Sequence, residues 1–432
     1  MRKNKVDIIS LGCSKNLVDS EHLIKQFQAN GYTVEHNPQR VNGEIVVVNT
    51  CGFIRDAQEE SINTILELGE ARKSGKINKL YVMGCLSERF MHDLTEEIPE
   101  VDKFYGKFNW KEMLNDLGKS YKADIASERQ LTTPKHYAYL KISEGCNRFC
   151  AFCAIPLITG RHKSEPMEEL LKEVKSLVAK GVKEFNVIAQ DLSSYGLDLY
   201  GKMMLPELID KMAKIEGVEW IRLHYAYPTQ FPYEILPVMA SNPNVCKYLD
   251  IALQHISDKV LTNMRRHISK EDTLNLIKRI RTEVPGIHLR TTLMVGFPGE
   301  GEEEFAELEK FVKESRFERM GAFAYSEEAG TWAAKNLDDN IPQEVKDERL
   351  QRIMDLQEEI SQSIQDTKVG KVMRVIIDRE EANYYVGRTQ YDSPEVDPEV
   401  LIEKSQPLQA GEFYNVEITD ALPFELMGKI AE

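Results

Sequence analysis

The chain has 432 residues, 42% of them hydrophobic and 29% charged, an ordinary balance for a globular protein. No apolar run is long enough to span a bilayer, which excludes a transmembrane helix. The net charge of −15 disfavours non-specific nucleic-acid binding and points to a basic macromolecular partner or a small molecule.

The N-terminus runs from charged residues into a strand-like segment, not a signal h-region, so a cytoplasmic chain with reduced thiols is expected. Its seven cysteines, an odd number, suit metal ligation better than disulfides. Residues 1–125 alternate strand and helix signals. Val6-Asp-Ile-Ile-Ser-Leu-Gly precedes Cys13, Glu44-Ile-Val-Val-Val-Asn-Thr precedes Cys51, and Lys79-Leu-Tyr-Val-Met-Gly precedes Cys85. Each short apolar run fits a buried parallel strand. Helical stretches follow at Asp19–Asn30, Asp56–Ser74 and Glu88–Glu97. An open parallel sheet binds ligands beyond its strand C-termini, so this grammar places three thiols on one sheet edge. They read either as buried thiols at strand ends or as a metal site.

Residues 132–340 carry six further strand–helix units. Strands are expected at Tyr137–Ile142, Glu184–Ala189, Trp220–Tyr225, Tyr248–Leu253, His288–Val295 and Arg319–Tyr325. Helices are expected at Pro166–Lys180, Pro206–Ile215, Pro232–Ala240, Lys270–Thr282 and Glu302–Glu314, three of them with proline at or near the first turn. The pattern predicts a TIM-like (β/α)6 partial barrel with its site at the strand C-termini. The first strand leads into Cys146, Cys150 and Cys153, spaced C-x3-C-x2-C. Three thiolates on one loop leave one iron of a cubane cluster open for a substrate or cofactor. A Cys3His zinc site completed by His162 is the alternative.

Residues 341–366 read as an amphipathic linker helix, with Leu350, Ile353, Leu356 and Ile360 at helical spacing. Residues 367–432 switch to short strands, Val372–Asp378, Tyr384–Arg388, Val400–Glu403 and Phe413–Ala421, which predict a small OB-like β-barrel. That segment holds seven Lys and Arg against thirteen Asp and Glu, so it favours docking of a basic protein and makes direct nucleic-acid binding an unfavourable expectation. A solvated acidic face without a partner is the plainer reading.

The C-x3-C-x2-C loop after a first barrel strand resembles the radical S-adenosylmethionine superfamily. Leu11-Gly-Cys-Ser-Lys-Asn-Leu-Val-Asp-Ser-Glu21, Asn49-Thr-Cys-Gly-Phe-Ile54 and Met83-Gly-Cys-Leu86 resemble the N-terminal domain of its methylthiotransferase family. Glu144-Gly-Cys-Asn, Ala189-Gln-Asp191, Leu253-Gln-His255 and Val295-Gly-Phe-Pro-Gly-Glu300 resemble that family's core, and Gly411-Glu-Phe-Tyr-Asn-Val-Glu-Ile-Thr419 resembles its TRAM domain. The likeness covers essentially the whole chain. Leu-Gly-Cys-Ser-Lys-Asn and Cys-Gly-Phe-Ile are similar to the branch that modifies a ribosomal protein; the tRNA-modifying branch usually carries Gly-Cys-Gln-Met-Asn. Two positions depart from the pattern: Glu165 stands where relatives have Arg, and Gly301 where they have Thr.

The resemblance implies β-methylthiolation of an aspartate in small-subunit ribosomal protein S-twelve. It implies two 4Fe–4S clusters, S-adenosyl-L-methionine, and an external one-electron donor of flavodoxin or ferredoxin type. Cys146, Cys150 and Cys153 would hold the radical-generating cluster, and Cys13, Cys51 and Cys85 a second one that carries sulfur. Aspartate's β C–H is too weakly acidic for an ordinary side-chain base, which makes radical abstraction a sensible route. Gln190 is a candidate contact to the amino or carboxylate end of S-adenosylmethionine, or a loop-ordering side chain. Gln254 and His255 are candidates for direct contact, bridging or packing. Gly296 and Gly299 permit close backbone approach to the adenosine or a tight turn. Cys246 reads as a structural thiol. A tRNA adenosine methylthiotransferase and a non-enzymatic metal-binding scaffold are the competing readings.

Overall fold

A computed structural model describes residues 2–431, which form an open sheet, a partial barrel and a closed barrel in chain order. The first sheet contains β1 (Arg2–Ser10), β2 (Thr33–His36), β3 (Gly43–Thr50), β4 (Lys79–Gly84) and β5 (Lys103–Phe104). It is parallel throughout, in the order β2-β1-β3-β4-β5. Alternate residues of the apolar runs serve opposite faces, as the two-residue period requires. Val47, Tyr81 and Met83 pack under the helix Ser14–Ala29, whereas Val46, Val48 and Val82 pack beneath Arg55–Lys73 and Cys85–Glu97. β2 and β5 lie at the edges; four half-exposed residues and a two-residue strand leave almost no pattern in the sequence.

The central sheet contains β6 (Tyr137–Lys141), then β9 (Glu184–Ile188), β10 (Trp220–Ala226), β11 (Val245–Ile251), β12 (His288–Val295) and β13 (Arg319–Ala324). Between β6 and β9, the two-residue strands β7 (Ser143–Glu144) and β8 (Lys163–Ser164) pair antiparallel and tie the base of the cysteine loop. The six parallel strands run β13-β12-β11-β10-β9-β6 without closing. Leu140, Val187, Leu223, Leu249, Leu289 and their neighbours join the surrounding helices in one large core. The fourth strand starts earlier than expected and stops before Leu253; Gln254 reaches β12 by a single bridge to Leu293.

The linker helix spans Gln343–Asp366, with Ile353 and Ile360 buried and Leu350 and Leu356 packed against the central core. The closed barrel follows: β14 (Val372–Glu380), β15 (Tyr384–Thr389), β16 (Glu399–Glu403), β17 (Phe413–Leu422) and β18 (Glu425–Ile430), ordered β14-β15-β16-β18-β17. The sequence reading contained four of these five strands.

The two flanking domains cover opposite ends of the partial barrel. At the strand N-termini, Arg388 reaches Glu184 at 2.8 Å and His136 reaches Asp378 at 2.8 Å. There Asp392 and Asp397, on the loop before β16, pair with Arg319 and Arg290. These pairs bear on the small barrel's charge. Asp392 and Asp397 are paired with arginines of the neighbouring domain, while Arg388 and Arg374 of the small barrel pair with Glu184 and Glu219 in return, so part of its charge of both signs is paired across the domain junction.

Candidate metal centres at the mouth of the partial barrel

The first three thiols stand at the level C-terminal ends of adjacent strands. Ser10 of β1 is in register with Asn49 of β3, and Asn49 with Met83 of β4. Cys13 caps the helix Ser14–Ala29, Cys51 follows β3 directly, and Cys85 begins the helix Cys85–Glu97. Helix N-termini favour thiolates through the dipole and unpaired N–H groups. Two glycines permit the approach. A Cβ on Gly12 would lie 2.6 Å from Cys51 Cβ and 2.8 Å from its Sγ, and one on Gly52 would lie 2.6 Å from the Leu86 backbone.

The second triplet lies on the loop after β7. Gly145 has φ +77°, and a Cβ there would strike the Arg161 carbonyl at 2.2 Å. Cys146 N–H donates to Gly160 O at 3.2 Å, and Ala151 N–H to Met264 O at 2.9 Å. Cys150 Sγ lies 3.2 Å from Arg266 Nη1 and 3.4 Å from the Tyr227 hydroxyl.

All seven cysteines are free thiols. Burial pushes Cys85 and Cys146 up to about 12, and raises Cys51 and Cys153 as well. A bound metal reverses this, because a coordinating thiol is deprotonated outright. Among the described residues, no three His, Cys, Asp or Glu side chains converge as the ligands of one ion do. Tetrahedral zinc, with Zn–S about 2.3 Å, would draw its sulfurs to within about 4 Å of one another. A cubane spreads its thiolates over separate irons and needs no such convergence. Three thiols per triplet are the donor chemistry that a cubane with one open iron would take. His162 Nε2 lies 3.1 Å from Ser164 Oγ and 3.8 Å from Asp198, and its Nδ1 is buried without a partner.

The sites are neighbours, since Cys85 packs with Ala154 and Ile158 of the second loop. A buried charge network joins the two domains beside them. Lys107 lies 3.1 Å from Glu144 and 3.5 Å from Asp19, and Lys141 bonds both carboxylates. Burial alone would raise the Glu144 carboxyl, but Lys141 and Lys107 outweigh it and hold it below the ordinary carboxylate range. Across the mouth, Arg89 bonds Glu328 at 2.9 Å, Ala329 O at 2.6 Å and Gly52 O at 3.1 Å. A cavity of about 550 Å³ opens beside the network, lined by Asp19, Phe108, Lys141, Glu144, Arg161 and Glu165. The departure at Glu165 thus faces a cavity. The other departure, Gly301, caps the helix Glu302–Ser315, and its N–H donates to Glu304 at 2.7 Å.

The candidate S-adenosylmethionine contacts have the following partners within the protein. His255 is fully buried; its Nε2 pairs with Glu300 at 3.0 Å and its Nδ1 accepts from Ser257 N–H. Glu300 in turn bonds Arg349 of the linker helix and Gly296 N–H, both at 2.8 Å. His255 is therefore a packing residue. Gly296 and Gly299 serve the tight turn: a Cβ would meet Lys346 at 2.3 Å in the first case and Asn263 at 2.4 Å in the second. Gln254 stays at the mouth, with φ +74°. Gln190 donates to Glu144 Oε1, while its own Oε1 is buried without a partner. Cys246 packs with Trp220, Tyr248 and Ile376 and is distant in role from both triplets. The sequence reading missed Lys107, Arg266, Tyr227, Arg89 and Glu328. Asp19 and Glu144 did lie inside motifs it quoted.

Comparison with known proteins agrees with this architecture. The Radical SAM superfamily matches residues 140–312, the Uncharacterized protein family UPF0004 residues 5–106, and the TRAM domain residues 369–431. The ribosomal protein uS12 methylthiotransferase RimO of Parabacteroides distasonis is 66% identical over 430 residues, covering 100% of both chains. The chain belongs to the RimO family. RimO of Phocaeicola vulgatus is 64% identical over 431 residues and that of Porphyromonas gingivalis 63% over 434, again covering 100% of both chains. Among solved structures, the radical S-adenosylmethionine methyltransferase TsrM of Kitasatospora setae, with cobalamin and a 4Fe–4S cluster bound, shares 75% of each chain at a TM-score of 0.55 and 14% identity. That likeness concerns the fold alone. Within the RimO family, the open sheet, partial barrel and TRAM barrel of this chain are one continuous assembly.

Proposed function

We propose that Cys146, Cys150 and Cys153 hold the radical-generating 4Fe–4S cluster of this RimO-family enzyme, and Cys13, Cys51 and Cys85 the second cluster. The chain is a radical S-adenosylmethionine methylthiotransferase acting on ribosomal protein uS12. Its target atom is read as the β-carbon of an aspartate. When bound, the clusters and S-adenosylmethionine supply the radical and the methylthio group. The protein's own residues position and shield them. The N-terminal domain lies over the strand C-termini, pinned by Arg89–Glu328 on one side and Lys107–Glu144 on the other. Gln190 is fixed by Glu144 and presents an unpartnered carbonyl oxygen, which suits an ammonium group of the cofactor. Electrons come from an external one-electron donor. The observation that supports the reading is the packing of Cys85 against Ala154 and Ile158, which directly follow the Cys146–Cys153 loop. Mass spectrometry of uS12 from cells lacking the chain tests it. A methylthio mass on an aspartate is expected to disappear; its persistence would contradict the assignment.

A further inference from the structure

We propose that Arg266, braced by Tyr227, stabilises the reduced form of the cluster held by Cys146, Cys150 and Cys153, and so sets its reduction potential. The inference rests on the reading that this triplet holds a 4Fe–4S cluster. Arg266 is only 2% exposed. Among the described residues it has no carboxylate partner, although a buried unpaired guanidinium is costly. Its Nη1 lies 3.2 Å from Cys150 Sγ, its Nη2 bonds Ala252 O, and its Nε is buried with no partner. The guanidinium stacks 4.1 Å from the Tyr227 ring centroid, and the Tyr227 hydroxyl is itself 3.4 Å from the same sulfur.

Arg148 supplies the contrast. It stacks on the same ring at 4.4 Å but is neutralised by Asp191 at 2.7 Å. Arg265 and His267, which flank Arg266, both take positive φ, of 57° and 54°. Such backbone is unfavourable for residues with a Cβ and persists where the surroundings impose it. The fold thus holds one uncompensated positive charge and its N–H donor against one ligand sulfur, braced by the Tyr227 hydroxyl, which donates to Arg266 O at 3.3 Å and lies beside the same sulfur. No Lys or Arg nitrogen is hydrogen-bonded to the sulfur of Cys13, Cys51 or Cys85 among the described residues; Cys85 Sγ instead meets Asn16 Oδ1 at 3.4 Å. Reduction adds one negative charge to a cluster. A fixed cation and hydrogen bonds to its sulfur favour that state and raise the potential.

The test is a redox titration followed by electron paramagnetic resonance, on full-length chain carrying Cys13→Ala, Cys51→Ala and Cys85→Ala so that one cluster titrates. Arg266→Met, and Arg266→Gln which keeps a donor for Ala252, are expected to lower the reduced-to-oxidised ratio at a fixed potential about tenfold, a shift of about 59 mV to more negative values. Arg266→Lys, which keeps the charge, is expected to stay closer to the parent. Neutral variants that keep the parent midpoint would overturn the proposal, as would a lysine variant displaced as far as they are. If the neutral variants do not load iron, Tyr227→Phe decides: a negative shift supports the proposal and an unchanged midpoint overturns it. A parent chain with no cluster signal from this triplet would instead defeat the functional reading on which the inference rests.

Discussion

At the scale of single residues, Asp378 shows how charge holds the small barrel's own strands together where they meet the central domain, through Arg388 of the barrel and His136 beyond it. Burial would raise its carboxyl from the ordinary 3.8, but Arg388 and His136 override that and hold it at about 2. A carboxyl lowered in the folded state stabilises above its unfolded value and loses that contribution as pH falls through the folded one. The difference corresponds to about 2 kcal/mol, complete above about pH 4 and lost toward pH 2. Asp378→Asn is expected to ease opening of the small barrel by about 2 kcal/mol at pH 7, with a smaller loss at pH 3, read by amide exchange. An equal loss at both values would contradict the pairing. The placement of six cysteines was legible in the sequence because it lies in local spacing and in a repeated strand-end position. The pairing of His255 was not, because its partner Glu300 lies 45 positions further along the chain and is itself held by Arg349, 94 positions on. Arg266 was hidden for the same reason: its sulfur partner precedes it by 116 positions.

At the scale of elements, the parallel strands were readable because burial on both faces demands continuous apolar runs. Glu425–Ile430 was not, since Gly428 and Lys429 interrupt its pattern and it is paired on both sides only by the closure of the barrel. The turn after β12 is an element whose demands are tight. Gly296 has φ +71° and leaves the space that Lys346 fills, with Lys346 Nζ reaching Tyr325 O at 3.2 Å. Gly296→Ala therefore combines backbone strain with displacement of the linker helix. It is expected to cost about 1–3 kcal/mol, seen as a lowered melting temperature of the reconstituted protein. An unchanged melting temperature would mean that the turn and linker helix shift freely.

At the scale of the whole molecule, the partial barrel is closed at its two ends by different domains, and both closures combine ion pairs with apolar packing. The upper closure includes Arg89 and Glu328, whose side chains are 5% and 13% exposed. Arg89→Glu and Glu328→Arg are each expected to raise amide exchange in residues 51–54 about tenfold, or about 1.4 kcal/mol, and the double variant to restore protection. Independent additive effects would show that the pair does not hold the domains together. The order of domains was legible from changes in grammar along the chain. Which end each would cover was not, because that depends on ion pairs between residues hundreds of positions apart, such as Arg388 with Glu184 and Arg89 with Glu328. The central claim is that the two triplets, brought to one mouth, each hold their own cluster. Iron and acid-labile sulfide counts on anaerobically reconstituted protein test it most directly. About eight of each per parent chain are expected, falling to about four when either triplet is changed to alanine. A chain that loses all its iron with one triplet, or none, or that fills with zinc instead, would contradict it.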